Sequence, residues 1–180
     1  MSPAPGSTKV VKAGFVQLDA ATGVVRRILA FQYSPETLTR KLEVVDPTSA
    51  PREVVNFTLP FDVRLDAHDP VAEQAGILPA ISALQLLLYP SNGGLLVWIS
   101  GNRRIAPVRI TEMQILEQGF DPNLNPNRAQ VAITLHMLKD ADLANDPRAQ
   151  SLWNAYFNEL QQLAQLFTNA SLATLGLSGI

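Results

Sequence analysis

The sequence contains no cysteine among its 180 residues, so disulfide frameworks, thiol nucleophiles and cysteine metal sites are all excluded. Charge is scarce as well: Asp, Glu, Lys and Arg make up 17% of the chain, against roughly 25% in ordinary soluble domains, while 47% is hydrophobic. Little charge is available to cover a surface, which points to large buried interfaces. The formal net charge of -2 carries no basic excess and the Lys and Arg residues are dispersed, so a phosphate-neutralising nucleic-acid surface is not expected. No stretch approaches ~18 apolar residues. Met1-Ser2-Pro3-Ala4-Pro5-Gly6-Ser7 has no charged region followed by an apolar core. Neither membrane insertion nor a secretory leader is expected, and synthesis and assembly are placed in the cytoplasm. Gly-x-Ser-x-Gly, Walker-type and Gly-x-Gly-x-x-Gly runs are also missing, which removes the nucleophile elbow, the phosphate loop and the dinucleotide fingerprint; Asn92-Gly93-Gly94 reads as a turn.

What is present is strand patterning. A chain of this length can bury one sizeable core. Residues 1–8 read as a flexible tail, 9–140 as a β domain and 141–180 as a helical extension. A strand from Val10 to Leu18 is followed by Asp19-Ala20-Ala21-Thr22-Gly23, a hairpin loop with Gly available for positive φ, and then by a strand from Val24 to Tyr33. Ser34-Pro35 breaks that strand, Leu38 to Val45 forms another, and Asp46 to Arg52 reads as loop. Val55, Phe57, Leu59, Phe61, Val63 and Leu65 alternate without a miss. Pro60 lies inside this run on the opposite parity, which predicts an edge position or a bulge. Between Asp66 and Pro90 the period changes to that of a helix, with Pro79 in its first turn and Ile81, Leu84 and Leu88 on one face. Strands resume at Leu95–Ser100 and Ile105–Leu116, where Val108 and Ile110 hold one parity and Met113 and Ile115 the other, a slip that predicts a bulge near Thr111. Ala129, Val131, Ile133, Leu135 and Met137 then alternate toward one face. Asp146-Pro147 makes an N-cap and first-turn pair, and Leu152, Tyr156, Leu160, Leu163 and Phe167 fall on one face of a last helix. The fold class is therefore α+β, mainly β, with one inserted helix and a C-terminal helix.

Chemistry-bearing clusters are sparse. Asp62, Asp66, His68 and Asp69 carry the donor types for a divalent cation, but acidic residues ahead of a helix ordinarily cap it and stay solvated, which is the preferred reading. His136 sits on the polar parity of its strand and reads as an exposed or interface side chain. Arg103 and Arg104 beside Gly101-Asn102 read as a solvated loop tip or a pairing across a subunit interface, and Trp98 as core. No catalytic residue, cofactor site or metal site is assigned. The residues singled out instead are contact residues: Phe120, Asp121, Leu124, Pro126 and Arg128 in the connector between the last two strands, and Trp153, Tyr156 and Phe157 on the C-terminal helix.

Three segments carry a resemblance: Phe31-Gln32-Tyr33-Ser34-Pro35-Glu36-Thr37-Leu38, the Leu95–Ser100 strand, and Phe120 through Val131. Together they resemble the tube-domain family of contractile injection systems, phage-tail-like particles, over roughly Lys9 to Leu138. The resemblance implies a tail-tube-like β-sandwich or barrel. It also implies a structural baseplate role, adapting the inner tube to the spike complex through a ring of identical chains, expected to be hexameric. The partners it implies are copies of the chain, the inner-tube protein, and spike and other baseplate proteins, with no cofactor and no enzymatic activity. Ser34 stands where the family's turn more usually has Asn, and nothing after Leu138 resembles the LysM module several members carry, so peptidoglycan binding is not carried over. A tail-terminating cap of the same particle and a stand-alone small-ligand-binding barrel are the alternative readings.

Overall fold

The computed structural model describes residues 12–66, 74–89, 94–167 and 171–179. The expected tail at residues 1–8, and the start of the first expected strand at Val10, lie outside these. Seven strands form one antiparallel sheet in the order β2-β1-β5-β6-β7-β4-β3. In chain order they are β1 (Gly14–Asp19), β2 (Val25–Ala30), β3 (Leu38–Glu43), β4 (Arg52–Asp62), β5 (Gly94–Ile99), β6 (Ile105–Phe120) and β7 (Pro126–Met137). Helix α1 (Leu78–Gln85) is inserted between β4 and β5, and α2 (Asp140–Leu143) and α3 (Pro147–Leu166) follow the sheet. The chain is thus mainly β with helices added.

Local chemistry explains several boundaries. The β1–β2 loop closes because the Asp19 carboxylate accepts from the Ala21 and Thr22 amides, and because Gly23 takes φ +71°. The long alternation of β4 was expected to continue to Leu65, but the strand ends at Asp62 and a 3-10 turn covers Val63–Asp66. The Asp62 carboxylate accepts from the Arg64 amide at 3.0 Å and turns the backbone out of the ladder. Pro60 has β7 on one side, while β3 ends its pairing opposite Phe57. The proline therefore occupies a local edge inside an otherwise interior strand. The expected bulge is present, since the β6–β7 register shifts between Ile110 and Glu112, leaving Thr111 as the extra residue. In α1, Ile81 and Leu84 are buried as expected but Leu88 is 42% exposed. The helix tightens to 3-10 over Leu86–Leu88, so the residue three beyond Leu84, Leu87, turns to the core instead.

The sheet is strongly curled. In a flat sheet β4 and β5, with β6 and β7 between them, would stand three strand spacings apart, ~14 Å. Yet Phe57 of β4 stacks on Trp98 of β5 with ring centroids 6.1 Å apart. Phe31, just past β2, bridges Phe15 of β1 at 5.2 Å and Phe57 at 5.9 Å. This aromatic chain, with Val55, Leu59, Val131, Ile133 and Leu135, fills the concave side, and α1 contributes Ile81 and Leu84. A second, smaller cluster lies on the other face, where Leu95 and Val97 meet Leu143, Ala149, Leu152 and Trp153. The unbroken apolar run of β5 follows directly: Leu96 and Trp98 face one cluster, Leu95 and Val97 the other.

Candidate interaction surfaces

The β6–β7 connector is shorter and stiffer than its sequence suggests, because the strands run to Phe120 and from Pro126 and leave five residues between them. Asp121 organises this loop. Its Oδ1 accepts from the Asn123 and Asn125 amides at 2.8 Å each, and its Oδ2 accepts from Asn125 Nδ2 at 3.0 Å. The Asn125 side-chain bond, followed by the backbone bonds, holds the Asp121 carboxyl below its ordinary value. Asn125 Nδ2 also donates to the Gln74 carbonyl, and the Ile77 amide donates to the Pro126 carbonyl, so the loop is fastened beside α1. Asp121 and Pro126, both expected at a contact, therefore act from within: the first is consumed by the loop and the second is buried. What the loop presents outward is Phe120, 52% exposed, Leu124, 76% exposed, and Arg128. Leu124 also holds φ +63°, a left-handed conformation that costs a side-chain-bearing residue about 1–2 kcal/mol. Strain and exposure thus meet in one large apolar residue.

Helix α3 forms the second surface. Asp146 caps it, accepting from the Arg148 and Ala149 amides, and Arg148 reaches the Ala20 and Ala21 carbonyls of the β1–β2 loop. Between Leu152 and Glu159 it docks on the rest of the subunit through three anchors. Leu152 and Trp153 enter the second cluster. Arg103 pairs with Glu159 at 2.9 Å, so the arginine expected at a loop tip or subunit contact is engaged by its own chain. Between them, Arg40 of β3 binds the Glu53 carboxylate of β4, and the Tyr156 hydroxyl donates to Glu53 at 3.3 Å while accepting from Arg40 at 3.2 Å. Burial pushes the Tyr156 phenol above its ordinary value, and the neighbouring Glu53 charge adds to the shift.

Beside these anchors α3 and the sheet enclose an apolar groove of about 530 Å³, lined by Leu42, Pro51, Pro107, Met137, Trp153 and Phe157, among others. Trp153 Nε1 is buried with no acceptor among the described residues. From Leu160, at the border of the groove, onward the apolar face of the helix is open to water. Leu160, Leu163, Leu166 and Phe167 are 43%, 37%, 70% and 88% exposed. The expected single apolar face is real, but only Leu152, Trp153 and Tyr156 find the sheet; Phe157 is 45% exposed. From Pro107 at the groove to Phe120 at the loop, β6 runs thirteen residues, roughly 40 Å at strand rise. The two predicted contact sets therefore sit at opposite ends of one ribbon.

A third surface escaped the sequence reading. β2 and β3 each have one neighbour and terminate the sheet on its two sides. β2 exposes Val25 and Ile28, and β3 exposes Leu42. Glu53 was missed because a charged residue between the Asp46–Arg52 loop and the first apolar residue, Val55, carries no inward signal, yet it shares the inward parity of Val55 and Phe57, and Arg40 lies opposite Val55, diagonal to Glu53.

Of the candidate cation ligands, Asp62 is engaged by Arg64, whose guanidinium lowers its pKa to about 2. His68, Asp69 and the Asp66 side chain lie outside the described residues. Among the described residues no cluster of three or more His, Asp or Glu side chains is placed to hold a metal. His136 is half-buried, opposite Val54 of β4 and Arg109 of β6. No helix among the described residues is long and apolar enough to cross a membrane. No protein-family model matches this sequence, and no curated protein matches it significantly.

Proposed function

We propose that this chain is a structural ring subunit of a contractile, phage-tail-like particle, adapting its inner tube to the spike and baseplate without chemistry of its own. The observation that carries the reading is the sheet's pair of dissimilar free edges. An antiparallel sheet with β2 open on one side and β3 on the other can accept a neighbour at each, a head-to-tail arrangement that closes into a ring when the rotation divides a full turn. Two features support it. The curled sheet, with Phe31 of the β2 end packed on Phe57 of β4, is read as a tail-tube-like barrel parted along its β2–β3 seam. The exposed Phe120–Leu124 loop and the exposed end of α3, at opposite ends of the β6–β7 ribbon, suit contacts above and below the ring. Copies of the chain, the tube protein and the spike components are the partners this reading implies.

The groove beneath α3 favours one rival, a stand-alone small-ligand-binding domain. Tagging the protein in its native host, sedimenting high-mass particles and locating the label by electron microscopy separates the readings. Label near the spike end of sheathed particles is expected. Label at the far end turns the protein into a cap, and a small soluble species with no particle overturns the ring reading.

A further inference from the structure

Where β4 ends and β7 begins, the sheet carries a small cluster of charge. Asp62 stands opposite Arg128 across the β4–β7 ladder, and Gln118 of β6 stands opposite Arg128 on its other side. Directly opposed side chains have Cβ atoms about 5 Å apart, so Asp62 and Arg128 are placed for a cross-strand ion pair. They do not form one. Asp62 Oδ1 accepts from the Arg64 amide and from Arg64 Nε, each at 3.0 Å, and Oδ2 accepts from Nε at 3.1 Å and from Nη2. A carboxylate offers about four lone-pair sites, and one arginine takes them all. The Arg64 side-chain bonds accordingly do most to lower the Asp62 pKa, and the Arg128 charge does least. Arg128 is left with its donors and no acceptor among the described residues. Its guanidinium rests instead against Gly119 of β6, where a Cβ would lie 3.6 Å from both Nε and Nη2. Two arginines against one aspartate leave one surplus positive charge, and Arg128 carries it. That charge borders a recess of about 470 Å³, to which Tyr33 brings a hydroxyl, Gln118 and Gln130 bring amides, and Pro60 brings an exposed apolar wall. Leu116, opposite Gln130 and 52% exposed, extends that wall.

We propose that this recess binds a carboxylate borne on an apolar body, with the Arg128 guanidinium taking the carboxylate and the body resting on Tyr33, Pro60 and Leu116. The planar fork of arginine matches a carboxylate in bidentate geometry, which a point charge would not. Charge selects a carboxylate over a phosphate. One surplus positive charge balances a monoanion, whereas a dianion would meet the Asp62 charge with nothing left to offset it. The ligand takes the place beside Arg128 that Asp62 gives up by turning to Arg64. A free organic acid and a Glu or Asp side chain between apolar residues of a partner share this chemistry. The site needs only one subunit, so it stands or falls separately from the ring reading.

The test titrates the full-length, nitrogen-labelled protein with sodium benzoate, sodium acetate, inorganic phosphate and sodium chloride at constant ionic strength, following side-chain N–H signals by NMR. Arg128→Lys identifies the Arg128 Nε–Hε signal by its loss. That signal is expected to shift saturably with benzoate, and acetate, which lacks the apolar body, should need about tenfold more. Arg128→Gln should weaken benzoate binding at least about tenfold, read from the Gln118 and Gln130 amide signals. Asp62→Asn should tighten it about fivefold, because it releases Arg64 and removes the nearest negative charge. Backbone spectra like that of the parent show that each variant is folded. A benzoate shift no different from that of chloride overturns the proposal. So do unchanged binding in Arg128→Gln, weaker binding in Asp62→Asn, and phosphate binding tighter than benzoate, which would make this a site for dianions. A second arm separates the two sources: acetyl-Leu-Glu-Leu-amide binding tighter than benzoate assigns the site to a partner's acidic side chain, and the reverse order assigns it to a free organic acid.

Discussion

Removing the Arg40 guanidinium should destabilise this protein more than removing the Tyr156 hydroxyl, although both bind the same carboxylate. Glu53 is 7% exposed and sits where β3, β4 and α3 meet. Tyr156→Phe deletes two long hydrogen bonds, at 3.2 and 3.3 Å, and leaves the ion pair intact. A hydrogen bond to a charged group contributes about 1.5–3 kcal/mol at good geometry, and at these distances about 1–2 kcal/mol is expected. Arg40→Ala instead leaves a buried carboxylate without its cation, a loss of about 3–5 kcal/mol for a fully buried pair. The Arg40 side chain is 29% exposed, so water recovers part of this, and about 2–4 kcal/mol is expected. The discriminating variant is the double, Arg40→Ala with Glu53→Gln. Neutralising the stranded charge should return at least about 1 kcal/mol relative to Arg40→Ala alone. Urea unfolding followed by circular dichroism, at protein concentrations low enough to exclude self-association, measures all three. If Arg40→Ala costs no more than Tyr156→Phe, or if the double variant is no better than the single, then Glu53 is solvated in the native state and the clamp on α3 is not electrostatic.

Other outcomes follow from single sites. Leu124→Gly relieves the left-handed leucine at a 76% exposed position, so the isolated subunit should gain up to about 1 kcal/mol in urea unfolding, and under the proposed ring role its incorporation into particles should fall; a loss of subunit stability would show that Leu124 supports the fold. Leu135→Ala, fully buried between β4 and β6, should cost about 2–5 kcal/mol, lowering Tm by roughly 2–4 °C per kcal/mol in calorimetry. Asp146→Ala removes the cap of α3 and should cost about 1 kcal/mol, read in the same scan. The folded pKa of Asp62, about 2, lies below its value of 3.8 in the unfolded chain, so its ion pair with Arg64 stabilises above pH ~4 and is lost as pH falls toward ~2. Asp62→Asn should flatten acid unfolding in that window, and an NMR titration of its side-chain carboxyl with a midpoint near 4 would refute the assignment.

Local patterns carried much of the strand layout. The alternation from Val55 to Phe61 appears as the inward face of β4, the parity slip at Thr111 appears as a register shift, and the Asp146-Pro147 pair starts α3. These signals are legible because each is written within a few residues. The curl of the sheet was not, because the Phe57–Trp98 contact joins residues 41 positions apart across two intervening strands. Helical periodicity likewise gave the apolar face of α3 but not its extent: the face runs to Phe167, while packing ends near Tyr156. Of the contact residues, Phe120, Leu124 and Phe157 are exposed, whereas Trp153 packs against Leu95 and Val97 of its own sheet. Its replacement by Ser would damage the subunit before testing any interface, so the exposed Phe120 and Leu124 are the better probes.

The free edges set opposing demands on this chain. A ring requires β2 and β3 to accept neighbours, yet an exposed edge bearing Val25, Ile28 or Leu42 is also a template for uncontrolled pairing. Both edge strands are only six residues long, and both interleave cations with their apolar residues: Arg26 and Arg27 on β2, Arg40 and Lys41 on β3. Most of those cations are engaged within the subunit, Arg26 by Asp19 and Arg40 by Glu53, and Glu43 stands on the same strand as Lys41, so charge repulsion does little to keep two edges apart. Strand length is then the main guard: six residues offer few ladder bonds, so edge pairing between copies is weak and its register can slip unless other contacts align the copies first. Replacing Arg27 and Lys41 with Val, which leaves both ion pairs in place and makes the edges more apolar, should raise aggregation of the isolated protein in light scattering, and unchanged scattering would refute this account of the edges.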